Sequence, residues 1–137
     1  MKTVIKALIY DTDNNVLLLN RNITHPNFPS HIDFPGGELE HNETDSRAVC
    51  REIAEETGLS VSVKMVHEVY RKQVSADLTH VVFKVCATTR KPLILLSWEH
   101  TDYKWVPIEE FKKMKLPKNV DEYHVTLLEY LNRKSGQ

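Results

Sequence analysis

Glu52, Glu55 and Glu56 crowd three carboxylates into little more than one helical turn, directly after Arg51. At about 100° per residue the three share one face of a helix. Val49, Cys50, Ile53 and Ala54 are expected on the other. Like charges one turn apart destabilise a helix, so this cluster needs either full solvation or a cation. Hard divalent cations take oxygen ligands, and Mg²⁺ keeps waters and shares the phosphate oxygens of a substrate. Zinc would call for Cys and His instead. Pro35-Gly36-Gly37 lies just upstream, and glycines there let backbone carbonyls approach a ligand closely. Arg51 can reach across a turn to Glu55 or orient a neighbouring carboxylate. A solvated acidic helix face would use the same residues with no ligand at all.

The elements that must hold these groups can be read from their ends. Thr44 is a candidate N-cap and Asp45 suits the positive end of the helix dipole. Gly58 stands where a helix ends in a left-handed residue. The helix is therefore predicted over Asp45 to Thr57. A strand-like segment, His31 to Phe34, leads into the glycine loop. Thr3 to Tyr10 and Val16 to Leu19 read as a hairpin across the turn cluster Asp11-Thr12-Asp13-Asn14-Asn15. Asn22 to Ser30, with Pro26 and Pro29, is predicted as a loop bordering a substrate. Ser60 to Tyr70 and His80 to Thr88 read as strands, Pro92 as an edge or strand start, Ser97 to Lys104 as loop or an irregular strand end, and Trp105-Val106 as a short strand. Pro107 opens a short helix. Asn119 to Leu131 forms the last helix, with an apolar stripe of Val120, Tyr123, Leu127, Leu128 and Leu131, and the tail from Asn132 is expected to fray.

At 137 residues the chain is expected to be a single domain, 1–137. An apolar share of 41% with 27% charged residues is ordinary for a globular protein. The net charge of −1 gives no bulk attraction to nucleic acid or anionic membranes. No apolar run reaches the ~18 residues of a membrane span. Two cysteines, Cys50 and Cys86, and no signal peptide favour a reduced, cytoplasmic setting. The seven histidines are scattered, and no Gly-x-Ser-x-Gly elbow or P-loop is present.

The stretch from Gly37 to Leu59 resembles the Nudix box: Gly, five residues, Glu, seven residues, Arg-Glu-apolar-any-Glu-Glu-any-Gly-apolar. Gly37, Glu43, Arg51, Glu52, Ile53, Glu55, Glu56, Gly58 and Leu59 all fit. The resemblance implies a Nudix fold, a mixed sheet sandwiched between helices in the α/β (α+β) class. It implies hydrolysis of a nucleoside diphosphate linked to another moiety. Glu52, Glu55 and Glu56 match glutamates that bind Mg²⁺ or Mn²⁺. Glu43 matches one that assists metal-bound waters, Arg51 matches an arginine that orients a carboxylate, and the Gly36 carbonyl matches one that completes the metal shell.

Outside the box the candidates are fewer. Glu99, preferred over Asp102, stands where many Nudix members carry an acidic base or extra ligand. Asn119 stands where MutT-like members read the purine, and it is equally a good N-cap, with Glu122 three residues on. Arg21 could face the phosphates, Gly37 could approach the substrate, and Phe28, Tyr103 or Trp105 could stack on a base. The expected activity is a Mg²⁺-dependent pyrophosphohydrolase for nucleoside triphosphates, oxidised purines included. An ADP-ribose or nucleotide-sugar pyrophosphatase is the alternative, and a non-catalytic ligand sensor is the rival from another class. The expected partner is a small nucleotide, without nucleic acid or membrane, and a homodimer is allowed.

Overall fold

The computed structural model describes residues 2–26, 31–114 and 122–135. Its elements are β1 (Lys2–Tyr10), β2 (Asn15–Arg21), β3 (Ile32–Asp33), β4 (Gly36–Glu38), α1 (Asp45–Thr57), β5 (Val66–Ser75), β6 (Leu78–Cys86), β7 (His100–Pro107), α2 (Ile108–Lys113) and α3 (Glu122–Ser135). Among the described residues the strands form one seven-stranded mixed sheet. Its main path is β3-β2-β1-β6-β5, with β4 on β1 and β7 on β2. β1 runs parallel to β6 along its whole length, and the other pairings are antiparallel.

Alternation along the central strands gives the sheet two apolar faces. Ile5, Ala7, Ile9, Leu17 and Leu19 pack with Ala48, Val49 and Ile53 of α1. Leu8, Tyr10, Val16 and Leu18 pack on the opposite face with Phe111 of α2 and Tyr123, Leu127 and Leu131 of α3. The sheet is thus sandwiched between helices, as the resemblance implied. Among the described residues no helix is long and apolar enough to cross a membrane.

α1 has the predicted bounds. The Thr44 hydroxyl accepts from the Arg47 amide at 3.3 Å, and Gly58 closes the helix at φ 76° with its amide on the Ala54 carbonyl. Several expectations need correcting. The predicted hairpin is brief: β1 and β2 pair at Tyr10↔Val16 and then splay, and the wedge between them takes in β3 on β2 and β4 on β1. Residues 60–62 carry no strand, and Val63–Met65 is a 3₁₀ turn that reverses the chain into β5. Residues 92–97 form neither strand nor sheet edge; instead this segment straps the C-terminal end of α1, the Leu95 amide donating to the Thr57 carbonyl at 2.8 Å. The segment from Ser97, expected as loop or an irregular strand end, is strand β7 from His100 onward, with Thr101, Asp102 and Lys104 exposed. α3 continues past Leu131 through Ser135. Ala54, placed with the apolar face, is exposed.

Candidate active site

The box residues meet where α1 crosses the glycine strand β4. Gly36 has φ 148°, and a Cβ there would collide with the Ile5 carbonyl oxygen, so only glycine lets β4 lie against β1 at that point. At Gly37 a Cβ would stand 2.7 Å from Glu52 Oε1. The missing side chain is the space the Glu52 carboxylate occupies.

Arg51 gathers the acidic groups. Its Nε and Nη2 grip both oxygens of Glu43, at 2.7 and 3.1 Å. Nη1 reaches Glu52 at 3.1 Å and Glu55 at 3.3 Å. Such fork-to-carboxylate pairing fixes orientation as well as charge. These hydrogen bonds, opposed by slight burial, hold the Glu43 carboxyl below its ordinary range.

The three glutamates of α1 have different surroundings. Glu55 is exposed and Glu52 half-buried. Glu56 is buried, 2% exposed, with Oε2 accepting from the Gly36 amide at 2.7 Å. Burial pushes the Glu56 carboxyl up to about 9, with Asp33 and Glu52 adding to the rise and Lys6 and the Gly36 amide opposing it. Burial also raises Glu52, helped by Glu55 and resisted by Arg51 and Glu56.

A cavity of about 470 Å³ opens beside this wedge, lined from β1, the end of β2, β3, β4, α1 and β6. Gly36, Gly37, Glu56, Arg21 and Glu99 all line it, so five of the residues singled out in the sequence meet at one cavity. Arg21 is 5% exposed and sits with its Nε 3.3 Å from Asp33. Glu99 lies in the turn before β7, 3.6 Å from His25 Nε2, and its carbonyl accepts from the Asn22 amide. Glu43 and Arg51 do not line this cavity but an open groove along the other flank of α1. Trp105 and Tyr103 pack on the α1-side core. Asn119 and Phe28 lie outside the described residues.

Sequence reasoning missed a buried group at the cavity, whose lining includes Lys6 and Asp33. Asp33 accepts from Lys6 Nζ at 2.5 Å and from His100 Nε2 at 2.9 Å, beside Arg21. Burial favours its neutral form, but Lys6, His100 and Arg21 outweigh this and hold it well below the usual carboxylate range. Asp33 carried one signal, a charge between Ile32 and Phe34 in a strand-like run. Lys6 and His100 carried none that periodicity detects.

The donor set bears on a metal. Asp33, Glu56 and His100 offer ligand atoms within 4.8 Å of one another. Asp33 there already holds the Lys6 ammonium. Among the described residues Glu52, Glu55 and Glu56 do not form such a group: Glu56 lines the cavity, while Glu52 and Glu55 are engaged by Arg51. Their donors are oxygen alone, the type a hard divalent cation takes.

A family model for the NUDIX domain matches residues 2–130. The 8-oxo-dGTP diphosphatase of Escherichia coli (strain K12) is 34% identical over 59 residues, covering 43% of this chain and 46% of that protein. The ADP-ribose pyrophosphatase of Methanocaldococcus jannaschii is 40% identical over 74 residues, 54% of this chain and 43% of that one. The match spans less than half the length of each of these curated relatives. Among solved structures, the MutT protein from Methanosarcina mazei Go1 superimposes with a TM-score of 0.77 at 24% identity, covering 98% of this chain and 95% of that one. The NUDIX domain of Shewanella oneidensis NrtR, complexed with ADP ribose, does so at 0.67 and 20% identity, covering 96% and 86%. At these identities the structural matches bear on the fold alone.

Proposed function

The chain belongs to the NUDIX domain family, and on that premise we propose that it is a divalent-metal-dependent hydrolase of nucleotide pyrophosphate bonds, with Mg²⁺ as the resident ion and Mn²⁺ as a substitute. The chain is read as one NUDIX unit. The observation that carries the proposal is the Arg51 clamp, which gathers Glu43, Glu52 and Glu55 beside α1, the helix whose Glu56 lines the cavity.

In this reading Glu52, Glu55 and Glu56, with the Gly36 carbonyl, hold the ion. When bound, the metal neutralises phosphate charge and makes a water more acidic. Glu43, kept ionised by Arg51, accepts a proton from the attacking water. Glu99 stands at the cavity rim as a second carboxylate able to do so. Arg21, in the cavity lining, faces the phosphates, and Gly37 leaves room for them. Water adds to phosphorus as the anhydride P–O bond breaks, so a nucleoside triphosphate gives a monophosphate and pyrophosphate.

We infer a nucleoside triphosphate, including oxidised purines, as the substrate, with Asn119 reading the base. The E. coli relative is named for that activity. The Methanocaldococcus relative favours a second reading, an ADP-ribose pyrophosphatase, through its longer and more identical match. A screen of triphosphates and diphosphate-linked nucleotides, with product identification, tests both. Hydrolysis is expected to stop in excess chelator and return with Mg²⁺ or Mn²⁺. Full turnover in chelator would overturn the metal assignment, and metal binding without turnover of any nucleotide would leave a ligand sensor.

A further inference from the structure

His100 is buried beside the proposed site by a local irregularity of the sheet. β2 and β7 stay in step from Asn15↔Pro107 to Asn20↔Asp102, and there the register shifts, so that Arg21 pairs with His100 rather than Thr101. Side chains alternate along a strand. Continued alternation would have turned Thr101 to the side of Tyr103 and His100 away from it. The bulge reverses this: Tyr103 packs on the α1-side core, and the His100 side chain joins it at 0% exposure while Thr101 is exposed.

Both sides of the ring meet a carboxylate. Nε2 lies 2.9 Å from Asp33 Oδ2, and Asp33 is itself pinned by Lys6 and Arg21. Nδ1 has no hydrogen-bond partner and faces Glu56 Oε1 at 3.9 Å. That gap is longer than a hydrogen bond. The other oxygen of Glu56 is already held by the Gly36 amide. A buried polar atom left unpaired is costly and calls for a reason. Here the atom is aimed at a carboxylate one short side-chain movement away.

We propose that His100 is a positioning residue for Glu56: with both ring nitrogens acting as N–H donors, it is anchored on Asp33 through Nε2, presents Nδ1–H to Glu56 Oε1 and, with the Gly36 amide, sets the orientation in which that carboxylate is offered to a divalent cation. The proposal rests on the assignment of Glu56 as a metal ligand made above. It differs from a cation held directly by Asp33, Glu56 and His100, because the Lys6 ammonium already stands on Asp33.

The test is a Mn²⁺ titration of the 137-residue chain without nucleotide, read by electron paramagnetic resonance, beside the melting temperature of the metal-free protein. H100Q puts an amide nitrogen near Nε2, keeping the Asp33 contact and deleting the group that faces Glu56. H100N does the reverse. We expect H100Q to melt like the parent yet bind Mn²⁺ about 10–100-fold more weakly, as for other residues that orient metal ligands. H100N is expected to keep most of the affinity. In an E56Q background H100Q should add no further loss, since the two residues act on one ligand. Parent-like affinity in H100Q overturns the proposal, as does a loss that simply adds to that of E56Q. Should H100Q fail to fold, H100N decides: affinity near the parent's supports the role, and a loss equal to that of E56Q overturns it. A parent chain that binds no Mn²⁺ refutes the metal site itself, whereas a silent H100Q in a metal-binding parent refutes only the role of His100.

Discussion

Arg51 shows how one side chain can organise several others. Its guanidinium takes Glu43 by two parallel bonds and still reaches Glu52 and Glu55 with Nη1. A lysine would supply the same charge from a single point and could not hold both Glu43 oxygens in that plane. Arg51→Lys is therefore expected to fold normally and to lose about 10–100-fold in turnover at saturating Mg²⁺. Steady-state rates of purified protein check this, and a lysine variant as fast as the parent would reduce Arg51 to a surface helix residue. The two glycines of β4 differ in the same residue-level way. Gly36 is required by backbone, since its neighbour is the Ile5 carbonyl. Gly37 is required by chemistry, since its neighbour is the Glu52 carboxylate.

α1 could be read from the chain because its ends are written in local chemistry. Thr44 caps through its own hydroxyl and Gly58 adopts a left-handed conformation that few other residues tolerate. Thr44→Ala should cost about 1 kcal/mol, seen as a lower urea midpoint with an unchanged slope. The buried half of the site was not legible in this way. Lys6, Asp33 and His100 come from β1, β3 and β7, and nothing in their spacing announces that the three meet. His100 in particular is turned inward by a bulge in β7 at Thr101, where two steps of β7 answer the single step from Asn20 to Arg21, a feature that shows only once the strands are paired. The first half of β7 read as loop or an irregular strand end because its exposed residues are polar, and residues 60–65 read as strand because valines occur there at alternate positions, although the chain needs a turn. Local signals thus placed the helix and its carboxylates, while long-range pairing placed what stands behind them.

Taken as a whole, the molecule carries almost no net charge, −1 in all, and its cavity mixes both signs: Lys2, Lys6 and Arg21 line it, but so do Asp33, Glu38, Glu56, Glu99 and Glu122. A phosphate would meet a strongly positive field there only with a cation bound. The strand at the middle of this arrangement is the first in the chain, and it has to wait. Lys2 to Tyr10 pair with Leu78 to Cys86, so the apolar residues Ile5 and Ala7 to Ile9 leave a ribosome long before the strand that covers one edge of them exists. Contacts between distant segments slow folding and leave strand edges exposed in the meantime. A chain cut after Ser75 should accordingly show no cooperative melting by circular dichroism; a sharp transition in that fragment would mean that β1 finds its place without β6. During synthesis, then, the cavity stays unformed until well over half the chain has emerged, and the nascent strand is the segment a holding chaperone would be expected to cover.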